Sequence, residues 1–410
     1  MAGENAGRER ERGRDSPPAS ARPLRILVLH STYLSGPASG ENRVVEDEVK
    51  LLRDRGHSVR ALTPAPPSGP LAPVGLAARA LWSAQASGAV RRAIGAERPD
   101  VIHAHNLFPM LSPTVIRCAR QEGVPFVMTL HNYRMMCLPA TLIRDGRPCE
   151  DCIGRVPWPG VVHRCYRRSF AGSAALASSI TLHRSLGSFD GVSLFLAVSA
   201  FILDKHVQAG IARDRLMCKP NFAWPAAARR EGPGEYFLYL GRLVPEKGVG
   251  VLLEAWRQVD AALLIAGGGD LRPELERMAG PRVSFLGSVP GERALELLLR
   301  CRAMILPSTW SEGAPRSIPE AYAAGVPVIA SRIGSLPEFV EDGVSGRLVP
   351  PEDPELLAEA VTELLDDGRS VAMGDEAFEL WRKRFTPERG GAELEAAYAR
   401  AIDAAMGPVS

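Results

Sequence analysis

Lysine is scarce in this chain of 410 residues, although cations in general are not. The 49 Lys and Arg residues include only five lysines, which are Lys50, Lys205, Lys219, Lys247 and Lys383. Each lysine therefore stands out, because a compact ammonium and a planar guanidinium are not interchangeable. The formal net charge is only +2, so no excess of charge favours nucleic acid, and we expect no nucleic-acid partner.

Long apolar runs are also missing. None reaches the roughly 20 residues of a membrane-spanning helix, and residues 1–22 lack the apolar middle of a secretory signal. This polar, charged and proline-containing stretch predicts a disordered tail. We expect a cytoplasmic protein, with a peripheral contact at the inner face of the membrane left open. In that compartment, cysteines are thiols or metal ligands rather than disulfides.

Short apolar segments alternate with helical ones along the rest of the chain. The predicted strands are 24–30, 57–62, 100–105, 125–130 and 194–199, then 235–241, 261–268, 283–287, 303–307 and 326–331. Continuous apolar strands that alternate with helices are typical of parallel βαβ units. The pattern predicts an α/β fold with two doubly wound, Rossmann-like domains facing a central cleft, where such sheets bind ligands.

A stretch rich in Pro, Ala and Gly at 221–234 separates the two runs of strands. We therefore predict a first, acceptor-side domain over 23–225 and a second, nucleotide-sugar-binding domain over 235–386. The first domain carries a cysteine-rich insertion at 137–165. Residues 387–410 follow a Pro/Gly break and predict a terminal helix that could pack back on the first domain.

Two acids, Glu312 and Glu320, flank a segment that contains Gly313 and Pro315. These residues disfavour one continuous helix and predict a loop followed by a helix that begins near Ser317. A capping box between Ser317 and Glu320 is one explanation of the second acid. A solvated loop carboxylate is one explanation of the first.

Four segments of the sequence suggest another role for Glu312 and Glu320. These segments are "SEGAPRSIPEAYAAGVPVIASRIGSLPEFVEDGVSGRLVPPEDPELLAEAV" (311–361), "YLGRLVPEKGVGVLLEAW" (239–256), "HAHNLFP" (103–109) and "VPFVMTLHNY" (124–133). Together they resemble retaining glycosyltransferases of family 4, which have the GT-B fold. The resemblance covers nearly the whole chain after residue 23, and the family's E-x7-E motif matches Glu312 and Glu320.

The resemblance implies a role for most of the candidate site residues. Glu312 would contact the donor sugar, Glu320 the ribose hydroxyls, and Arg242 and Lys247 the donor diphosphate. His131, at the end of a predicted strand, would position the reacting sugar or stabilise developing charge. Gly40 matches the family's glycine-rich loop only in part, since Gly36 is the only other glycine there, and a simple turn is the alternative. N–H groups at the helix start, near Arg316 and Ser317, favour an anion.

The resemblance also implies a reaction. A sugar would move from a nucleotide diphosphate sugar to a hydroxyl acceptor, which is a glycan, a lipid-linked sugar or a small metabolite, with retained anomeric configuration. The chain has no D-x-D motif to hold a catalytic metal, so protein cations would stabilise the leaving diphosphate. A nucleotide-sugar epimerase of the same architecture and a non-catalytic sugar-nucleotide-binding module are the alternatives.

The insertion contains Cys137, Cys149, Cys152 and Cys165 in the pattern C-x11-C-x2-C-x12-C. Four thiolates form a closed tetrahedral site for structural zinc, and His163 is a substitute for one of them. A redox pair, an iron–sulfur site and unligated thiols are the alternatives. The other three cysteines, Cys118, Cys218 and Cys301, are expected to be buried thiols.

Two further features leave function open. His103 and His105 are spaced to share one face of a strand, and we interpret them as packing or acceptor-side residues rather than metal ligands. Residues 166–189 mix basic and apolar side chains in a predicted helix. A core helix and a membrane-surface helix both explain that mixture.

Overall fold

The computed structural model describes residues 22–32, 40–64 and 72–406. The strands are β1 (Arg25–Leu29), β2 (Ser58–Leu62), β3 (Val101–Ala104), β4 (Phe126–Leu130), β5 (Ile143–Arg144), β6 (Arg147–Pro148), β7 (Leu194–Ala197), β8 (Leu216–Cys218), β9 (Tyr236–Leu240), β10 (Leu263–Ala266), β11 (Val283–Gly287), β12 (Cys301–Leu306), β13 (Val328–Ser331) and β14 (Gly346–Val349). The predicted tail lies outside the described residues, except for its last residue.

Helices connect most of these strands. They are α1 (Gly40–Asp54), α2 (Ala72–Leu81), α3 (Ala84–Glu97), α4 (Thr114–Gln121), α5 (Trp158–Val162), α6 (Phe170–Ser185), α7 (Ala200–Gln208), α8 (Val249–Ala255), α9 (Arg272–Met278), α10 (Gly291–Arg300), α11 (Ser317–Ala323), α12 (Leu336–Phe339), α13 (Pro354–Glu363), α14 (Asp367–Arg384) and α15 (Pro387–Met406). None of the described helices is long and apolar enough to span a bilayer.

Twelve of these strands form two separate six-stranded parallel sheets, and β5 and β6 pair with each other as a short antiparallel sheet. The first has the order β2-β1-β3-β4-β7-β8 and the second the order β11-β10-β9-β12-β13-β14. The ten predicted strands lie in these sheets, whereas β8 and β14 were not predicted. The strand β8 has three residues and β14 begins with Gly346 and Arg347, so neither contains a continuous apolar run of four residues. The prediction of two doubly wound α/β domains is confirmed.

The order of each sheet determines where a ligand binds. Strand order reverses between β1 and β3 in the first sheet and between β9 and β12 in the second. At such a switch point the loops diverge to opposite faces and leave a crevice at the carboxyl ends of the strands. Functional side chains are therefore expected in the loops after β1, β3, β9 and β12.

The last helix, α15, returns to the first sheet. Its buried side chains Leu394, Ala397, Tyr398 and Ala401 join a core cluster with residues of β1, β4, β7 and α1. The helix covers a face of the first sheet, because the apolar positions of that sheet would otherwise be open to water. The chain thus crosses between its two halves twice.

Candidate active site

The Glu312 carboxylate is buried in the loop that follows β12. Its Oε1 accepts a hydrogen bond from the Lys247 ammonium at 2.6 Å and from the Ser308 hydroxyl at 2.5 Å. A carboxylate removed from water needs such partners. Glu312 is therefore not a solvated loop acid, and that interpretation is wrong.

Lys247 reaches Glu312 from a short 3-10 turn, Pro245–Lys247, after β9. The next residue, Gly248, has φ +67°, and a Cβ atom there would lie 1.8 Å from the carbonyl oxygen of Pro307. Only glycine permits both this conformation and this approach. The turn brings the ammonium 5.4 Å from the centre of the Trp310 ring. Lys247 and Glu312 thus form a fixed pair at the switch point of the second sheet.

Arg242 lies in the same loop and is held more loosely. Its side chain is 63% exposed, and its nearest acid is Glu246, at 3.5 Å. The backbone is better defined, since the Tyr239 hydroxyl donates to the Arg242 carbonyl oxygen at 2.7 Å. Exposed ion pairs are weak, so the guanidinium can leave Glu246 for a stronger anion.

The helix α11 starts as predicted, at Ser317, but the capping box does not form. Arg316 occupies the cap position without a side-chain cap bond, and Ser317 is already helical. The Glu320 Oε1 atom instead accepts from the Arg316 guanidinium at 2.7 Å. Burial raises the pKa of the Glu320 carboxyl, and Arg316 opposes that rise. The capping explanation of Glu320 is therefore wrong.

Arg316 also links the two halves of the molecule. Its guanidinium lies 2.8 Å from Asp47 Oδ2 on α1, and this pair is largely shielded from water. The indole of Trp224 donates to the other oxygen of Asp47 at 3.1 Å. The Arg316 guanidinium thus holds the first domain against α11.

Three histidines follow neighbouring strands at the carboxyl edge of the first sheet. His30 follows β1, His105 comes just after β3, and His131 follows β4. The Nδ1 atom of His105 lies 2.9 Å from Nε2 of His131, and the two rings stack at 17°. Burial lowers the pKa of His131 well below its ordinary value. His131 is therefore a neutral imidazole beside the cleft.

The edges that carry Glu312 and His131 face each other directly. A Cβ atom at Gly313 would lie 3.0 Å from the carbonyl oxygen of His131. The Tyr133 hydroxyl donates to the Ser311 carbonyl oxygen at 3.2 Å. The loop after β12 therefore packs against the loop after β4, and the two strand-end groups share one cleft.

The structure shows fewer contacts for the remaining predicted site residues, Gly40 and Ser317. Gly40 is the first residue of α1, and a Cβ atom there would meet nothing within 4 Å. Gly36 lies outside the described residues. Contact of Gly40 and Ser317 with a donor stays a prediction.

His103 is a packing residue, as expected from the sequence. Its Nδ1 lies 2.8 Å from the Tyr398 hydroxyl and its Nε2 lies 2.8 Å from Thr129 Oγ1. Burial lowers the pKa of His103 to about 4. His103 therefore connects the first sheet to α15 in its neutral form.

Two features of the cleft region were not predicted from the sequence. The Lys219 ammonium forms a buried ion pair with Glu48 of α1, next to the histidines. The Glu338 carboxylate accepts from the backbone N–H groups of Ala200 and Phe201 at 2.7 and 2.6 Å, so it caps α7 of the other domain. The rarity of lysine drew attention to Lys219, but nothing in the sequence identified its partner 171 residues away.

The four cysteines of the insertion line one cavity. Burial raises the pKa of the Cys137, Cys152 and Cys165 thiols. Among the described residues, Glu48, His103 and His105 are the group whose ligand atoms lie within 4.8 Å of one another. The four sulfur atoms thus line one cavity, but no three of them lie within 4.8 Å of one another.

Of the three isolated cysteines, Cys118 and Cys301 are buried as predicted, whereas Cys218 is exposed. The prediction for Cys218 is wrong because this residue ends β8, an edge strand. Most of the segment 166–189, for which a core helix and a membrane-surface helix were both open, forms α6, which buries Leu176, Ala177 and Ile180. Its core role therefore accounts for the apolar side chains on that face.

Comparisons with known proteins identify the family. Residues 38–223 match the family model described as Glycosyltransferase Family 4, and residues 234–367 match that of Glycosyl transferases group 1. A phosphatidyl-myo-inositol mannosyltransferase of Mycobacterium leprae is 30% identical over 384 residues, which span 86% of this chain and 92% of the relative. The chain belongs to glycosyltransferase family 4. It is thus a glycosyltransferase, and the family resemblance is confirmed.

Another curated relative and two solved structures are also similar to this glycosyltransferase. A D-inositol 3-phosphate glycosyltransferase of Acidothermus cellulolyticus is 29% identical over 402 residues, 86% of this chain and 84% of the relative. Anabaena HepE, solved with UDP and glucose, has 18% identity and a TM-score of 0.65 over 92% of this chain and 99% of its own. Sucrose-phosphate synthase of Thermosynechococcus elongatus has 17% identity and a TM-score of 0.68 over 93% of this chain and 100% of its own. At these identities the structural likeness concerns the fold, which is GT-B.

Proposed function

We propose that this glycosyltransferase moves a hexosyl group from a nucleoside diphosphate sugar to a hydroxyl acceptor, with retention and without a catalytic metal. The observation that carries the proposal is the buried Glu312–Lys247 pair at the switch point of the second sheet, opposite His131. HepE, a structural neighbour, has been solved with UDP-glucose, which supports a donor of that class.

The proposed donor roles follow from charge and position. The Lys247 ammonium and the Arg242 guanidinium supply positive charge where the diphosphate leaves, and such fixed charge is the main electrostatic aid to this reaction. Glu312 accepts hydrogen bonds from the donor sugar. Glu320 uses the oxygen that Arg316 does not hold to accept from the ribose hydroxyls.

The proposed mechanism transfers the sugar on one face. The anomeric bond to the diphosphate oxygen breaks, and the acceptor oxygen forms its bond on the same side. The leaving phosphate oxygen takes the acceptor proton, so that atoms and charge balance. His131 positions the sugar as charge develops at its ring.

For the acceptor, we propose only a chemical class. Two curated relatives are named for inositol-containing acceptors, phosphatidyl-myo-inositol and D-inositol 3-phosphate. We propose a polyhydroxylated acceptor that approaches the pocket beside His131, which is lined by Glu41, Asn106 and Arg134. Peripheral membrane contact stays a prediction.

We also propose a structural zinc ion in the insertion. Four cysteine thiols around one cavity are a donor set that fits zinc. Cys137, Cys149, Cys152 and Cys165 would hold the ion, and binding would draw their sulfurs together as thiolates. The ion would fix the insertion and take no part in transfer.

Binding of nucleotides tests the donor proposal directly. We expect calorimetry with UDP, GDP, ADP and CMP to show selective binding of one diphosphate. Arg242→Ala should weaken that binding by about ten- to a hundredfold, because a charge-assisted hydrogen bond contributes about 1.5–3 kcal/mol.

Arg382→Ala is the matched control. Arg382 forms an exposed pair with Glu379 on α14 and should leave nucleotide binding unchanged. Absence of binding by every nucleoside diphosphate would contradict the donor proposal. Equal weakening by both substitutions would contradict the role of Arg242.

A further inference from the structure

The hydrogen bond between His105 and His131 constrains both rings. The His105 Nδ1 and His131 Nε2 atoms are 2.9 Å apart, so one of them carries the proton and the other accepts it. A neutral imidazole has one N–H group, and the bond therefore links the tautomer of one ring to that of the other. Burial lowers the pKa of both histidines well below its ordinary value, which keeps both rings neutral.

The surroundings of the His105 Nε2 atom indicate which of the two rings donates the hydrogen bond between His105 and His131. Its Nε2 atom is buried and has no hydrogen-bond partner among the described residues, and the same is true of Glu48 Oε2. These two atoms lie 3.6 Å apart. A carboxylate oxygen only accepts, so a small closing movement satisfies both atoms if His105 carries its proton on Nε2. Leaving two buried polar atoms unpaired would cost free energy on both sides.

Glu48 is held in place to act as this acceptor. Its other oxygen, Oε1, accepts a hydrogen bond from the Lys219 ammonium, and both side chains are almost fully buried. The Lys219 ammonium compensates the charge of the Glu48 carboxylate, which would be costly to bury alone. The pair thus places a carboxylate oxygen behind His105.

Hydrogen bonds explain the cluster of Glu48, His103 and His105 better than a bound metal ion does. Ligand atoms of Glu48, His103 and His105 lie within 4.8 Å of one another. However, both ring nitrogens of His103 already have partners in Tyr398 and Thr129. The Lys219 ammonium, bonded to Glu48, is the cation at this place.

We infer that Glu48 and His105 are positioning residues that hold His131 as its Nε2–H tautomer. Hydrogen bonds then run from His131 Nε2–H to His105 Nδ1, and from His105 Nε2–H to Glu48. The Nδ1 atom of His131 keeps its lone pair for the cavity that His131 lines. The ligand group at that atom is a hydroxyl of a sugar or polyol, which donates its proton in a hydrogen bond. The kinetic consequence rests on the proposed function, whereas the tautomer does not.

The tautomer can be measured in the full chain labelled with 15N-histidine. Long-range 1H–15N correlation spectra distinguish a protonated ring nitrogen from an unprotonated one, and the signals missing in His131→Gln assign His131. We expect wild-type His131 to be protonated on Nε2. Protonation mainly on Nδ1 would overturn the inference, and this measurement needs no substitution that could impair folding.

Substitutions test whether His105 determines the tautomer of His131. His105→Phe keeps a buried ring but removes the acceptor, so His131 should become a mixture of tautomers. His105→Asn places an amide oxygen near the former Nδ1 position and should restore the Nε2–H form. His103→Phe, at an equally buried histidine that does not bond to His131, is the matched control and should leave the His131 signals unchanged. An unchanged tautomer in His105→Phe would overturn the role of His105.

Kinetics separate this inference from the proposed function. If the wild type transfers sugar, His105→Phe should lower kcat about tenfold while KM for the donor stays within about twofold, and His105→Asn should recover part of the loss. A wild-type enzyme that turns over no nucleoside diphosphate sugar would contradict the proposed function, while the spectra would still decide the tautomer. Unchanged kcat in His105→Phe would overturn the positioning role.

Discussion

At the scale of single residues, Glu312 combines burial with a fixed charged partner. Its carboxylate has little contact with water, and the Lys247 ammonium and the Ser308 hydroxyl are bonded to the same oxygen. The second oxygen is therefore the one available to a ligand. This division is consistent with the proposed contact between Glu312 and the donor sugar.

Substitution of Glu312 is the direct test of that role. Glu312→Gln keeps the size of the side chain but removes its charge, and we expect kcat to fall by about a hundredfold or more, the size of effect found when an electrostatic catalytic contact is lost. Glu312→Ala should abolish transfer. Circular dichroism and the melting temperature of each variant report whether the fold is retained.

Glu355→Gln serves as a control for that experiment, because Glu355 is an exposed acid on α13. It should transfer sugar at the wild-type rate. Normal turnover by Glu312→Ala would refute the assignment of Glu312 to the active site.

At the scale of elements, the insertion between β4 and α6 has little regular structure. Its strands β5 and β6 are two residues each, and α5 has five residues. Such a segment buries little apolar area and needs another source of stability. The cavity lined by its four cysteines is the candidate source.

Metal content tests the zinc proposal. We expect about one zinc ion per chain in purified protein, measured by mass spectrometry, because four thiolates saturate a tetrahedral ion. Cys152→Ser should lower both the zinc content and the melting temperature. Cys218→Ser, at an exposed cysteine outside the insertion, should change neither. Full melting stability of metal-free wild-type protein would show that the cysteines need no ion.

At the scale of the whole molecule, contacts distant in sequence hold the cleft together. Arg316 pairs with Asp47, Glu338 caps α7, and Tyr133 bonds to Ser311, so each of these contacts joins the two domains. The helix α15 adds a second crossing and contributes four buried side chains to the first sheet. The first domain therefore depends on the last part of the chain.

Truncation of a buried side chain on α15 tests this dependence. Leu394 is fully buried, and we expect Leu394→Ala to lower the free energy of unfolding by about 2–5 kcal/mol, the usual effect of such a cavity. Asp403→Ala, at an exposed position of the same helix, should change it by less than about 0.5 kcal/mol. Urea unfolding followed by circular dichroism measures both. Equal midpoints for the two variants would mean that α15 does not support the fold.

The amino-acid sequence by itself determined the alternation of strands and helices, and hence the class of fold. The apolar strands are local patterns of four to six residues in the structure, and Gly313 and Pro315 predicted the loop before α11 because both residue types disfavour a continuous helix. The family resemblance identified Glu312 and Lys247 as candidates from ordered blocks of sequence. Short edge strands such as β8 were beyond this reasoning, because their few residues carry no period.

Only the tertiary structure decided how these residues meet. It pairs Lys247 with Glu312, Arg316 with Asp47, and Lys219 with Glu48, across separations that no local pattern encodes. It also replaces the capping box at Ser317 by a bond between Arg316 and Glu320. Ion pairs and hydrogen bonds depend on distances of a few ångströms, and those distances are set by how the two sheets and α15 pack together.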